Sequence, residues 1–151
     1  MNQKVLVPLD GSELAECALD HVKVMVKGGL AVEVTLLKVV KIDIPADALY
    51  GMNLDLNAMR ASLFASARKY LAGVESRLGA EGIMVKKEVV EATRPASAIT
   101  EYAQKNGMGM IVIATHGYTG MKKLMLGSVA LSVLHDSHVP VLLIRPEGGR
   151  L

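Results

Sequence analysis

Five short apolar runs recur along the 151 residues of the chain, and they restrict its fold more than any other feature. They cover residues 4–10, 31–42, 83–91, 108–115 and 139–146. Segments with helical spacing or helix-capping residues lie between them, at 12–27, 58–80, 95–106 and 128–136. Strands that alternate with helices pair in parallel through right-handed crossovers. The sequence therefore predicts one α/β domain with an open, doubly wound, five-stranded parallel sheet and helices on both faces.

The third apolar run differs from the others because charged residues occupy its centre. Lys86, Lys87 and Glu88 stand where a buried strand would carry apolar side chains. Charges are typical of a strand at the edge of a sheet, where they discourage pairing with other chains. We therefore place this strand outermost and expect the strand order 3-2-1-4-5.

The composition excludes several functional classes. The 17 basic and 15 acidic residues are scattered, the formal net charge is +2 and aromatic residues make up 3%, so nucleic acid is not the expected partner. A single cysteine cannot form an internal disulfide, which favours a reducing compartment. The first residues lack a signal-peptide pattern and no apolar run reaches ~18 residues, so we expect a cytoplasmic protein without a membrane span.

Two loops are predicted to lie together at one edge of the sheet. In open α/β sheets, ligands bind beyond the carboxyl ends of the strands, where the strand order reverses. One loop follows the first strand at residues 10–12, and the other follows the fourth strand and holds Gly117 and Gly127 before a helix that starts near Ser128. Amides at a helix start attract anions, and glycine allows close backbone approach. The two loops are therefore the candidate binding site.

The spacing of the second loop matches a known motif. Ala114, two residues, Gly117, nine residues, then Gly127 and Ser128 follow the pattern Gly-x2-Gly-x9-Gly-Ser/Thr, with alanine in the first position. "THGYTGMKKLMLGSVA", "KVLVPLDGSE", "RPASAI" and "VPVLLIRP" closely resemble characteristic segments of the universal stress protein family, in the right order. The resemblance covers the whole chain, 1–151, and implies a single Rossmann-like domain of the adenine nucleotide alpha hydrolase type.

This resemblance implies an adenine nucleotide as ligand: ATP, or else ADP or AMP, together with Mg²⁺ or Mn²⁺. Residues that match the adenosine-side contacts of the family are Pro8, Leu9, Asp10 and Val39. Those on the ribose and phosphate side are Gly117, Gly127, Ser128 and Val129, with Ile113, Ala114 and His116 beside them. Asp10 would accept hydrogen bonds from hydroxyl groups or help to hold the metal ion.

The chain departs from the family pattern at three positions. Ala114 replaces the first glycine of the motif, Thr93 stands where glycine usually precedes the "RPASAI" segment, and Tyr118 replaces a common arginine. Loss of that arginine removes a cation that would face phosphate. Lys122 and Lys123, in the nine-residue loop, are the candidates to supply positive charge instead.

Three functions are compatible with these residues. The first is an ATP-binding regulatory or stress-response module with slow or absent hydrolysis, since the chain lacks a Walker lysine motif and a paired acid and base. The second is a partner-interaction module of the same fold that binds no nucleotide, against which the glycine loop argues. The third is an adenylate-transferring enzyme, whose usual Ser-Gly-Gly-x-Asp loop is replaced here by "PLDGSE". We assign no catalytic residue and expect at most weak ATPase activity or autophosphorylation.

The last predicted strand suggests self-association. "VPVLLIRP" is apolar on both faces, and an exposed edge of that character favours pairing with a second copy. In the family that it resembles, this strand commonly pairs antiparallel with its two-fold mate. We therefore expect a homodimer through residues 139 to 145.

Overall fold

The computed structural model describes residues 3–31, 33–42, 56–116 and 126–146, in which strands and helices alternate. The elements are β1 (Lys4–Pro8), α1 (Glu13–Glu16), α2 (Ala18–Lys27), β2 (Glu33–Val40), α3 (Leu56–Ala80), β3 (Lys86–Glu91), α4 (Pro95–Lys105), β4 (Met110–Ala114), α5 (Ser128–Asp136) and β5 (Val141–Ile144). The predicted fold class is confirmed. Each strand is shorter than the apolar run that predicted it, because the ends of these runs continue into the connecting loops.

The sheet has the order β3-β2-β1-β4-β5, and its strands pair in parallel. Leu6 of the central strand β1 pairs with Thr35 of β2 on one side and with Ile111 of β4 on the other. The predicted strand order is therefore confirmed. Since the chain turns in opposite directions from β1, the carboxyl ends of β1 and β4 lie side by side at the point where the strand order reverses.

Apolar side chains cover both faces of the sheet. On one face, Val5 and Val7 of β1 belong to a buried cluster with Leu71 and Val74 of α3. On the other face, Leu6 belongs to a cluster that includes residues of α4 and α5. Successive residues of a strand point to opposite faces, so one strand contributes to both clusters. The helices therefore form two layers, with α2 and α3 on one side and α4 and α5 on the other.

The helical segment after β1 begins as predicted but is divided in two. The hydroxyl of Ser12 accepts a hydrogen bond of 3.1 Å from the amide of Ala15, which is the expected N-cap contact. At Cys17 the amide bonds to the carbonyl of Leu14, three residues back, rather than four. This tighter step separates α1 from α2, although no glycine or proline marks it in the sequence.

The long helix α3 packs on the sheet through its second half. Ala67, Leu71, Val74 and Leu78 are buried, whereas Met59 in the first half is 39% exposed. The apolar spacing of the sequence therefore predicted the helix correctly but overstated the length of its buried stripe. Among the helices in the described ranges, none is long and apolar enough to cross a membrane.

The two edges of the sheet have opposite chemical character. On β3, Lys86 pairs with Glu33 at 3.0 Å and Lys87 pairs with Glu75 at 2.9 Å. The other edge strand, β5, has Leu142 at its surface. The charged run thus lies at an edge, as expected from its sequence.

Candidate functional site

A cavity of about 270 Å³ opens at the carboxyl ends of β1, β2 and β4. The starts of α4 and α5 close its sides. Its lining consists of Pro8, Leu9, Asp10, Ala15, Leu37, Val39, Pro95, Ile99, Ile113, Ala114, Thr115, His116, Gly127, Ser128, Val129 and Ala130. The cavity therefore lies where the reversal of strand order predicts a ligand site.

Ten of the eleven predicted cofactor-binding residues line this cavity. Gly117, the eleventh, lies outside the described residues, as do Tyr118, Lys122 and Lys123. The structure thus brings together segments that are 119 residues apart in sequence, at Pro8 and at Gly127. What these residues bind stays a prediction.

One wall of the cavity is apolar. Leu37 and Val39 of β2 lie two residues apart, so they point to the same face of the sheet. Ile99 of α4 and Ile113 of β4 contribute to the same cluster of side chains. A surface of this kind suits a flat, weakly polar group, because apolar lining with a few polar groups is typical of small-molecule sites.

Hydrogen-bond donors also line the cavity, where α5 starts. The cap residue, Gly127, has no side chain, and its carbonyl accepts the first helical bond from Leu131 at 2.9 Å. The amides of the first turn of a helix have no partner within the helix and carry partial positive charge. The amides of Ser128 and Val129 therefore provide an environment suited to an anion.

Asp10 is held by a compact turn at the mouth of the cavity. Its Oδ1 accepts hydrogen bonds from the amide of Ser12 at 2.8 Å and from the hydroxyl of Ser12 at 2.6 Å. Gly11 between them has a φ of 94°, a conformation that a side chain would strain. Ser12 in turn caps α1, so the carboxylate and the helix start form one unit.

Local packing by itself requires glycine at position 127. A Cβ built on it would lie 3.0 Å from the carbonyl oxygen of Thr115 and 3.7 Å from the Cα of His116. The φ of Gly127 is −62°, which any residue adopts, so crowding and not backbone strain requires glycine here. The sequence motif suggests that this glycine allows close approach of a ligand. The structure shows that the contact of α5 with the end of β4 already requires it.

Ala114 fits the fold without strain. It is the last residue of β4, pairs with Ile144 of β5 and is buried. Within the described ranges, no residue other than glycine has a positive φ. The methyl group at the first motif position therefore occupies an ordinary strand position beside the cavity.

His116 follows β4 and is buried, with 9% of its surface exposed. Its Nδ1 shares a hydrogen bond of 2.9 Å with the hydroxyl of Thr115. Among the described atoms, Nε2 has no hydrogen-bond partner. A buried polar atom of this kind is costly, which makes His116 an unusual lining residue.

Within the described residues, we find neither an activated nucleophile nor a cluster of three metal ligands. Burial raises the pKa of Cys17, and its thiol lies 4.0 Å from the carbonyl of Ile144, so it is not activated as a nucleophile. Over the same residues, no three His, Cys, Asp or Glu side chains cluster as metal ligands would.

Sequence reasoning missed part of the lining. Leu37 could have been found because it precedes Val39 by two residues and so shares its face of the strand. Pro95 starts α4 at the same edge of the sheet, which its position in the first helical turn made foreseeable. Ala15, Ile99, Thr115 and Ala130 carry no signal of this kind.

A family comparison agrees with the fold. The model of the universal stress protein family matches residues 1–145. The chain belongs to the universal stress protein family. Its resemblance to that family, recognised in the glycine loop and the flanking segments, is thereby confirmed.

Individual universal stress proteins show the same relationship. The universal stress protein MJ0577 of Methanocaldococcus jannaschii is 33% identical, over 99% of this chain and 98% of its own length. A solved structure of the hypothetical protein MJ0577 has a TM-score of 0.75 at 31% identity and covers 96% of both chains. Sequence and structure therefore agree over nearly the whole domain.

Two more distant structures share the fold and contain nucleotides. A universal stress protein in complex with cAMP has a TM-score of 0.63 at 21% identity, over 97% of this chain and 98% of that one. A family protein from Arabidopsis thaliana with AMP bound has a TM-score of 0.68 at 17% identity, over 96% of this chain and 92% of that one. At these identities the likeness to this chain is one of fold.

Proposed function

We propose that this universal stress protein binds ATP in the cavity and acts as a nucleotide-dependent regulatory or stress-response module with slow or absent hydrolysis. One observation carries the proposal: an apolar wall at Val39 and the amide-bearing start of α5 at Ser128 open into the same cavity. An adenine nucleotide has the matching polarity, with a flat, weakly polar base at one end and anionic phosphates at the other. The presence of AMP and cAMP in proteins of the same fold supports the same class of ligand.

Several of the lining residues would then contact specific parts of the nucleotide. The base would lie against Leu37 and Val39, and the phosphates would accept hydrogen bonds from the amides of Ser128 and Val129. Asp10 would accept hydrogen bonds from ribose hydroxyls, since a carboxylate is purely an acceptor. ADP and AMP would use the same contacts with fewer phosphates.

Mg²⁺ or Mn²⁺ would accompany the phosphates, whose charge it would neutralise. Asp10 is the candidate protein ligand, because such ions are commonly bound through one or two carboxylates and substrate phosphates. Asp10 is already bonded to Ser12, which gives it a fixed orientation at the cavity mouth.

Replacement of Ser128 by proline tests the phosphate site with little cost to the helix. Ser128 is the first helical residue, where proline is well tolerated because its missing amide is not used by the helix. Gly127 has a ψ of 153°, which suits a residue before proline. Ser128→Pro should weaken ATP binding by about ten- to a hundredfold, the effect of losing a hydrogen bond to a charged group.

The matched control is Ser128→Ala, which loses the hydroxyl but keeps the amide. Titration calorimetry with ATP and Mg²⁺ should show a change of at most a few fold for this variant, and both variants should keep the melting temperature of the wild type. Unchanged affinity in Ser128→Pro would refute the phosphate assignment.

Mass spectrometry of small molecules released from the native protein tests the ligand itself. We expect an adenine nucleotide, and titrations with ATP, ADP and AMP would then rank the three. A wild-type protein that releases no nucleotide and binds none would instead favour the partner-interaction module. Release of pyrophosphate on turnover would favour an adenylate-transferring enzyme.

We also propose that the protein forms a homodimer through residues 139 to 145. Leu142 is 36% exposed on the edge strand β5, and Leu131 and Leu134 on the neighbouring helix α5 are 53% and 45% exposed. An apolar edge flanked by exposed leucines favours pairing of two copies. Light scattering after size exclusion should give twice the chain mass, and Leu142→Lys should shift it toward the monomer.

A further inference from the structure

Lys38 occupies a position in β2 where an apolar side chain would be expected. Leu36 and Val40, two residues away on either side, are buried and point to the same face of the strand. A half-buried ammonium loses hydration that an apolar side chain would not need. Burial accordingly lowers the pKa of Lys38, while the charge of Asp10 acts in the opposite direction. A charged residue at such a half-buried position is a candidate for a functional role, because its lost hydration destabilises the fold.

Lys38 reaches the Asp10 turn from the side of the sheet opposite the apolar wall. Leu37 and Val39 face the cavity, and Lys38, between them in sequence, faces the layer of α2 and α3. Its Nζ donates a hydrogen bond of 3.3 Å to the carbonyl oxygen of Asp10. Because Ser12 bonds to the Asp10 carboxylate, the turn is held through both its main chain and its side chain.

Other charged groups near this end of the sheet have partners of their own. The hydroxyl of Tyr70 donates to Glu16 at 2.9 Å, and Arg77 pairs with the same carboxylate. Among the described residues, Asp10 is the one whose charge raises the pKa of Lys38. Lys38 and Asp10 therefore form a local pair of opposite charges beside the cavity mouth.

We propose that the ammonium of Lys38 offsets the negative charge of Asp10, so that the cavity accepts phosphate-bearing ligands. The inference rests on the proposed function, because it concerns an anionic ligand in that cavity. A carboxylate at the mouth of the cavity repels phosphates, and this repulsion grows with the number of phosphate charges. The ammonium counters it from behind the strand and leaves the apolar wall free for the base.

A ligand series separates this role from a merely structural one. Lys38→Met keeps the aliphatic stem and removes the charge. We expect ATP affinity to fall about tenfold, AMP affinity to fall less, and adenosine affinity to change by less than about twofold. Lys38→Arg should restore ATP binding, since it restores the positive charge and a donor.

Lys23→Met is the matched control. Lys23 is also partly buried, but it pairs with Glu81 at 2.7 Å at the far end of the same helical layer. This variant should leave binding of all three ligands unchanged. An equal loss for adenosine and ATP in Lys38→Met, or no loss for either, would overturn the inference while the nucleotide site itself stands.

A measurement without nucleotide tests the pair directly. In protein with ¹⁵N-labelled lysine side chains, Asp10→Asn should lower the pKa of Lys38 further, because the charge that raises it is removed. An unchanged pKa would overturn the inference. If the wild type binds none of the three ligands, the proposed function fails and the inference falls with it, which the wild-type titration reveals before any variant is made.

Discussion

The hydroxyl of Tyr70 on α3 donates a hydrogen bond of 2.9 Å to Oε2 of Glu16 on α1. Arg77, two helical turns further along α3, contacts the other oxygen of the same carboxylate at 2.5 Å. One glutamate thus joins the long helix to the short helix that begins after Ser12. The turn at the cavity mouth is therefore anchored to the α3 layer as well as to β2.

Tyr70→Phe should lower the free energy of unfolding by about 1.5 kcal/mol, because a partly buried carboxylate loses one hydrogen-bond donor. Urea denaturation measures this loss. In a double-mutant cycle with Glu16→Ala, the two changes should not be additive, since each removes the same contact. Additive losses would mean that the hydrogen bond contributes nothing.

The stability that Tyr70 contributes should be lost at alkaline pH. Burial, with a further contribution from Glu16, raises the pKa of Tyr70 above its ordinary value of 10.0. The folded state then holds the phenolic proton more tightly than the unfolded state. The contribution of Tyr70 to the free energy of unfolding is therefore complete below pH 10 and is lost as the pH rises further. The stability difference between wild type and Tyr70→Phe should therefore shrink from about pH 10 upward. Denaturation curves across that range would show a constant difference if the pKa were not raised.

Two glycine-to-alanine substitutions should change the stability of the protein in opposite directions. Gly127→Ala should destabilise the protein by about 1–3 kcal/mol, because its Cβ meets the Thr115 carbonyl at 3.0 Å. Gly73 lies within α3, and a Cβ at this position would have no neighbour within 4 Å, so Gly73→Ala should stabilise by about 0.5–1 kcal/mol. Thermal melts of the two variants give the comparison. A stabilising Gly127→Ala would show that the start of α5 can move away from β4.

Ser12→Ala should cost about 1 kcal/mol of stability, since it removes the N-cap of α1 and the hydroxyl contact to the Asp10 carboxylate. The matched control is Ser76→Ala on the exposed surface of α3, which should change stability by less than about 0.5 kcal/mol. Chemical denaturation of both variants measures the two changes in unfolding free energy. Equal effects at the two sites would mean that the cap is not a stabilising contact.

The fold could be predicted because its signals are repeated and local. Five apolar runs, with a capping serine at Ser12 and a proline at Pro95, determine the alternation of elements. The charges of β3 and the reversal of strand order at β1 then fix the topology. Boundaries were less accurate, since an apolar run such as 108–115 does not reveal where pairing with β5 ends.

The site was predicted only where it has a motif. Asp10 and Gly127 stand in recognisable sequence segments, whereas Ile99 reaches the cavity because α4 packs across the sheet. Lys38 was missed for the same reason: its contact with the Asp10 carbonyl joins residues 28 positions apart and follows from strand pairing. The division of the helix at Cys17 likewise has no residue type that marks it.

The contrast between the sheet's two edges limits how copies of this chain can join. Continuous growth of a sheet from copy to copy would need a receptive strand on both margins of every subunit. Here one margin is β3, with Lys86, Lys87 and Glu88 exposed along it, and the other is β5 with its surface leucine. When two copies pair through β5, the outer strand on each side of the joined sheet is a charged β3. If copies pair through β5 as proposed, association through this sheet would be self-limiting and would end in a closed pair instead of a fibre.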